Sequence, residues 1–226
     1  MLIPCVAQQL RVKLLARICL IRTEEDKMGK QTALHGHLPD GDFGLISKAG
    51  PQVTITEITD MNLFQLSAFA RQMDDCAAFM EKQCGIAGLP ALSSSIRGTA
   101  AVVMRAEPTK FWIASRQPVR ASLLANGAMY YPIDMTGSKT VIRVSGPAAC
   151  AVLNRMCALD LTARDGAFWA TGMHHVPVHV YGRHNAVFDV MIPRSFGLSI
   201  AHSLCQTSHQ FGLRVTTPTG WTLPRL

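Results

Sequence analysis

The sequence predicts an α+β fold of two pseudo-repeated β-β-α-β-β-α half-units packed together, at about residues 52–126 and 127–216. Three observations predict it. Apolar residues switch repeatedly between a spacing of two and a helical spacing, most cleanly over residues 133–161. The same order of elements returns after Ala128 with a few identities. At 226 residues the chain can bury a real core, and two half-units that each leave a sheet face uncovered can bury those faces against one another.

In chain order, Val53–Thr59 (VTITEIT) alternates as a strand, with Val53, Ile55 and Glu57 on one side. Asn62 to Phe69 is a second apolar run. Met73, Cys76, Ala77, Met80 and Cys84 trace a helical stripe that stops at Gly85, a suitable C-terminal cap. Gly88 to Gly98 reads as a turn-rich connector with Pro90 and three consecutive serines. Thr99 to Met104 and Phe111 to Ala114 read as a hairpin around Glu107-Pro108, and Val119 to Leu124 as a short helix.

The second half opens on IDMTGSKTVIRVSGPAACAVLNRMCALDL. Ile133 begins a strand, Gly137-Ser138 a hairpin turn, and the β-branched Val141, Ile142 and Val144 a returning strand. Pro147 then occupies a first helical position, and Ala149, Val152, Leu153, Met156 and Cys157 line one helical face. Phe168 to Met173, Val176 to Tyr181 and Val187 to Ile192 alternate as strands, and Phe196, Ile200 and Leu204 begin a last helix. The repeat rests on Thr59-Asp60-Met61 matching Ile133-Asp134-Met135, and on FWIASRQPVRASLL matching FDVMIPRSFGLSIAHSL.

Outside this core, residues 1–51 read as an N-terminal extension and arm, and residues 217–226 as a tail. Residues 1–27 are expected to be a loose extension or an upstream translation artefact, with Met28 as an alternative start. Arg11, Lys13 and Arg17 break their apolar run, and no small-residue cleavage site follows. No membrane span is expected.

The net charge of +7 is scattered, without a basic run interleaved with aromatics, so nucleic-acid binding is not expected. The apolar content of 48% against 16% charged fits a chain that buries surface against partners. Seven cysteines without Cys-x-x-Cys spacing read as free thiols in a reducing compartment rather than a zinc or disulfide framework. His35 and His37 lie in a polar loop. His175 and His179 share a strand face but stand about 13 Å apart, too far for one metal ion. Ser195 lacks a Gly-x-Ser-x-Gly elbow and is read as a helix cap. No Gly-x-Gly-x-x-Gly fingerprint for a dinucleotide is present.

Four pieces together resemble one family. They are Asp134 before a turn; Arg143, Ser145, Gly146 and Pro147; Cys157, Leu159, Asp160 and Leu161; and Pro193, Arg194, Ser195 and Phe196 before the last helix. This pattern resembles the gamma subunit of heterotetrameric sarcosine oxidase, with weaker similarity from about His35 to about Val215. The resemblance implies a cytoplasmic complex with alpha, beta and delta subunits that oxidatively demethylates sarcosine. The products are glycine, hydrogen peroxide and either formaldehyde or methylenetetrahydrofolate. It implies FAD, FMN, NAD, tetrahydrofolate and zinc in the other subunits and none in this chain. The long N-terminal extension and the short connector between Ala114 and Ala128 depart from that pattern.

Asp134-Met135-Thr136 and VFDVMIP also look like the aminomethyltransferase, or T-protein, of glycine cleavage, a folate-binding fold. Two readings follow. In the first, the chain is an assembly subunit contributing surface and stability, with no catalytic residue of its own. In the second, it is a folate-binding one-carbon protein in which Asp134 meets a pterin and Arg143 or Arg194 lies near the glutamate tail. Turn capping and ion pairing between half-units are the structural roles set against these for Asp134, Arg143, Asp160 and Arg194.

Overall fold

The computed structural model describes residues 31–118, 130–161 and 165–224. The expected extension over residues 1–27 and the helix at Val119 to Leu124 lie outside them. The chain divides into two compact units, residues 1–32 and residues 33–226, and every described strand and helix belongs to the second.

Twelve strands and three α-helices are described: β1 (Gly41–Phe43), β2 (Val53–Thr59), β3 (Asn62–Ala68), α1 (Met73–Cys84), β4 (Ser94–Arg97), β5 (Ala101–Glu107) and β6 (Lys110–Ser115). There follow β7 (Tyr130–Asp134), β8 (Lys139–Ser145), α2 (Ala149–Met156), β9 (Phe168–Met173), β10 (Val176–Arg183), β11 (Val187–Pro193), α3 (Gly197–Ser208) and β12 (Leu213–Gly220). The strands make two sheets. One has seven strands in the order β1-β12-β2-β8-β11-β10-β9, the other five in the order β4-β5-β6-β3-β7. All pairs are antiparallel except β12 with β2.

Strand parity sorts the buried side chains into three clusters, which lie between four layers of helix, sheet, sheet and helix. Val53, Ile55, Ile142, Val144, Phe188 and Val190 of the large sheet pack under α2 and α3. Their neighbours Ile58, Val141, Tyr181 and Met191 face the small sheet through Leu63, Val102, Met104, Trp112 and Ala114. The outer face of the small sheet, with Leu66, Val103, Phe111 and Ile113, lies under Cys76, Met80 and Cys84 of α1. Central strands are thus covered on both faces, which is why AVVM, FWIA and VFDVMIP run almost continuously apolar. This is an α+β fold, as the sequence predicts.

Several local expectations are corrected. Gly137-Ser138 does not close a hairpin: β7 pairs with β3 in the small sheet, whereas β8 lies between β2 and β11 in the large one. The turn is a corner between layers, tied down by Met135 N–H to the Leu63 carbonyl at 2.8 Å. The link from β2 to β3 also changes sheets, through Asp60 at φ +55°, a conformation aspartate tolerates better than most residues. The connector from Gly88 to Gly98 contains edge strand β4, whose SSIR carries no alternation to reveal it.

The segments read as arm and tail also enter the fold. β1 pairs with β12, and β12 runs to Gly220, irregular between Thr216 and Thr219 around Pro218. Trp221 is then buried between the sheets. Helix α2 begins at Ala149, two residues past Pro147. Ser195 lies inside a single 3-10 turn, Arg194–Phe196, and α3 carries no side-chain cap, so Ser195 does not cap the helix. Gly85, by contrast, closes α1 at φ +68° with its N–H on the Glu81 carbonyl.

Candidate functional site

A polar rung crosses the otherwise apolar space between the sheets. The register aligns Thr216 on β12, Thr56 on β2, Arg143 on β8, Asp189 on β11 and Tyr181 on β10, all facing the small sheet. Asp189 is fully buried. It accepts from Arg143 Nε at 2.7 Å, Arg143 Nη2 at 3.0 Å and Arg183 Nη1 at 3.0 Å. Arg183 donates its other nitrogen to the Thr222 carbonyl at 3.0 Å, and the Thr56 and Thr216 hydroxyls bond each other. The bidentate pair fixes both planes, and the carboxylate is spent on three N–H donors.

From the small sheet, β4 brings Ser95 and Arg97 towards this rung. Burial pushes the Tyr181 phenol above its ordinary value, opposed by a hydrogen bond with Ser95 and by the charges of Arg183 and Arg97. The Arg97 Nε is buried without a hydrogen-bond partner. Two guanidinium groups therefore hold the Asp189 carboxylate, and the third, Arg97, acts on the neighbouring Tyr181.

Further along the same interface, the His179 ring lies 4.1 Å from that of Trp112 and 5.4 Å from that of Phe168, centroid to centroid. Lys139 Nζ stands 5.3 Å from the Trp112 ring. Burial, and then the Lys139 charge, push the His179 imidazole down to about 4, with Glu107 opposing. Burial also lowers Lys139. The thiols of Cys76, Cys84 and Cys205 are pushed by burial up to about 11, 12 and 11, which leaves little thiolate at neutral pH.

The three residues singled out in the sequence are not brought to one place. Arg143 belongs to the buried ion cluster. Asp134 is exposed and accepts the Thr136 N–H at 2.9 Å, an Asx-turn that shapes the corner before β8. Arg194 is exposed at the far end of β11, where its N–H meets the Ser138 carbonyl at 3.0 Å. Lys139, opposite Pro193, is four residues from Arg143, about 13 Å along the strand. Asp160 is exposed beyond α2. The histidines are dispersed too. His174 and His175 form the positive-φ turn between β9 and β10, so His175 does not share a strand face with His179, and His184 pairs with Asp165 at 2.6 Å. Among the described residues no group of three or more His, Cys, Asp or Glu side chains is placed to hold a metal ion.

Asp189, Arg183 and Tyr181 are not singled out by the sequence motifs. The available signal is a single acid inside the apolar run VFDVMIP, because a lone charge in a strand covered on both faces requires a charged partner.

No protein-family model and no curated protein sequence matches this chain. Solved structures do. A chain of the heterotetrameric sarcosine oxidase from Corynebacterium sp. U-96, in complex with pyrrole 2-carboxylate, superposes with a TM-score of 0.62 at 22% identity, over 74% of this chain and 88% of that one. The glycine cleavage system aminomethyltransferase T from Bartonella henselae superposes with a TM-score of 0.55 at 14% identity, over 82% of this chain. The match spans 57% of that enzyme's length. At these identities the likeness establishes a shared fold.

Proposed function

We propose that this protein is the gamma subunit of a heterotetrameric sarcosine oxidase, or of a related flavoenzyme that demethylates an N-methyl amino acid. It contributes to assembly rather than to chemistry. The observation that carries the reading is the match over 88% of a chain from a heterotetrameric sarcosine oxidase, joined to the four sequence pieces that resemble a gamma subunit. In this reading the alpha, beta and delta subunits are the partners and hold FAD, FMN, NAD, tetrahydrofolate and zinc, and the complex is cytoplasmic. The two halves of the chain descend from one duplicated unit.

The local geometry supports a structural role for the residues in question. Arg143 ties β8 to β11 through Asp189, and Asp134 shapes the corner that lets β7 and β8 join different sheets. Exposed Ile133 and Phe196, on either side of the Ser138–Arg194 junction in the chain, offer apolar contacts to a partner. Co-expression of the full chain with its genomic neighbours tests the proposal. The chain is expected to co-purify with a large flavoprotein, and Ile133→Asp combined with Phe196→Asp is expected to weaken that association. A folded chain that never co-purifies with flavoprotein overturns the reading.

A second reading, a folate-binding one-carbon protein, is favoured by the fold shared with aminomethyltransferase T and by Arg97, whose Nε is buried without a hydrogen-bond partner. Its guanidinium suits a carboxylate of a glutamate tail. Titration of 5-formyltetrahydrofolate against the purified chain decides it. Saturable binding lost in Arg97→Met supports this reading, and no binding at millimolar ligand removes it.

A further inference from the structure

Glu57 is the second lone acid inside an apolar strand, and unlike Asp189 it has no cationic partner among the described residues. It points to the helix-bearing face of the large sheet, on the same side as Val53 and Ile55 and opposite Ile142 in register. Its residue is 5% exposed. The one hydrogen bond it makes among the described residues comes from Leu34 N–H to Oε1, at 3.3 Å. A carboxylate so placed is costly unless a positive charge or several donors compensate it.

What stands against Glu57 is a cavity of about 190 Å³ between the strands and residues 34–40. Leu34, Leu38 and Pro218 supply apolar wall, and Thr216, whose hydroxyl turns to Thr56 on the other face, also lines it. Exposed His35, Gly36 and Asp40 form the rim. The rim is a turn closed by His37 N–H on the Leu34 carbonyl at 2.9 Å, with Gly36 at φ +74°. Two of the lining side chains are acids, and none is Lys or Arg.

We propose that this cavity binds a small organic monocation of the alkylammonium class, with Glu57 as its counter-charge and Asp40 guiding entry. Two features select that chemistry. The buried charge calls for a cation, and the apolar walls suit alkyl groups. Hard metal cations take six or more oxygen ligands, and two carboxylates are too few. The space holds an ammonium with a few carbon atoms. This site is independent of any flavin or folate bound by partners, so it stands or falls separately from the assembly proposed above.

The test uses the purified full chain with tert-butylammonium chloride as probe and tert-butanol as its neutral counterpart, read by ligand-observed NMR and by thermal melting. Saturable binding of the ammonium, with a rise in melting temperature and none from the alcohol, is expected. Glu57→Gln keeps the acceptor for Leu34 N–H and is expected to weaken binding about tenfold or more. Should Glu57→Gln fail to fold, Leu38→Trp, which fills the cavity from a half-buried position, is expected to abolish binding. Equal binding of tert-butanol, displacement by magnesium or calcium at equimolar concentration, undiminished binding in a folded Glu57→Gln or Leu38→Trp protein, or no saturable binding at all each overturns the proposal.

Discussion

At the residue scale, the inter-sheet space holds two kinds of polar side chain, and they differ in how legible they are. Asp189 is visible as a lone acid in VFDVMIP, yet its partners are not, because Arg143 and Arg183 reach it only through a register that sequence does not display. The sequence argues against His179 as a metal ligand but does not display its surroundings: burial, and then the Lys139 charge, depress its ionisation, and Trp112, whose ring packs on it, and Lys139 are both distant in sequence. That depression has a pH consequence. An unfolded chain protonates this imidazole near its ordinary value of 6.5, whereas the folded chain resists until about 4. The unfolded state therefore binds more protons in that window, and stability falls as pH drops through it. Urea unfolding at pH 7.5 and pH 4.5 is expected to differ by an amount on the order of 2 kcal/mol more in the parent than in His179→Phe. An identical pH response in both proteins contradicts the placement of His179.

At the element scale, strands and helices are legible from period and caps. Their partners are not. A strand, a short glycine-bearing turn and another strand describe a hairpin and a corner between layers equally well. Here β7 and β8 take the corner, because each has an apolar edge to join in a different sheet. Helix α3 shows a similar dependence on contact. Gly197 opens it, and a Cβ there would stand 2.4 Å from Thr140 Oγ1 and 2.9 Å from Thr140 Cβ on strand β8. Glycine is required for this close approach rather than for its own dihedrals. Gly197→Ala is expected to cost roughly 1–3 kcal/mol by overpacking, with part of the loss recovered in Gly197→Ala/Thr140→Ala. Chemical denaturation of the two variants checks this, and an unchanged midpoint for Gly197→Ala contradicts the packing described.

At the scale of the whole molecule, the four layers account for the apolar composition. Two sheets covered on both faces bury nearly continuous apolar strands, and the charges enclosed between them are satisfied mainly by one another. The fold shared with a chain of a heterotetrameric sarcosine oxidase is legible in the residues around Asp134, Arg143, Cys157 and Arg194. Those residues serve different tasks in different places, which sequence order alone hides. Segments that look peripheral prove integral, since β12 and Trp221 complete the large sheet and the inter-sheet core. We propose that this four-layer body is a structural partner of a flavoprotein. Native mass spectrometry of the chain co-expressed with its genomic neighbours tests it most directly. A hetero-oligomer with one copy of this chain and bound flavin is expected, and a chain found solely as a monomer or self-associated while the flavoprotein assembles without it would overturn the proposal.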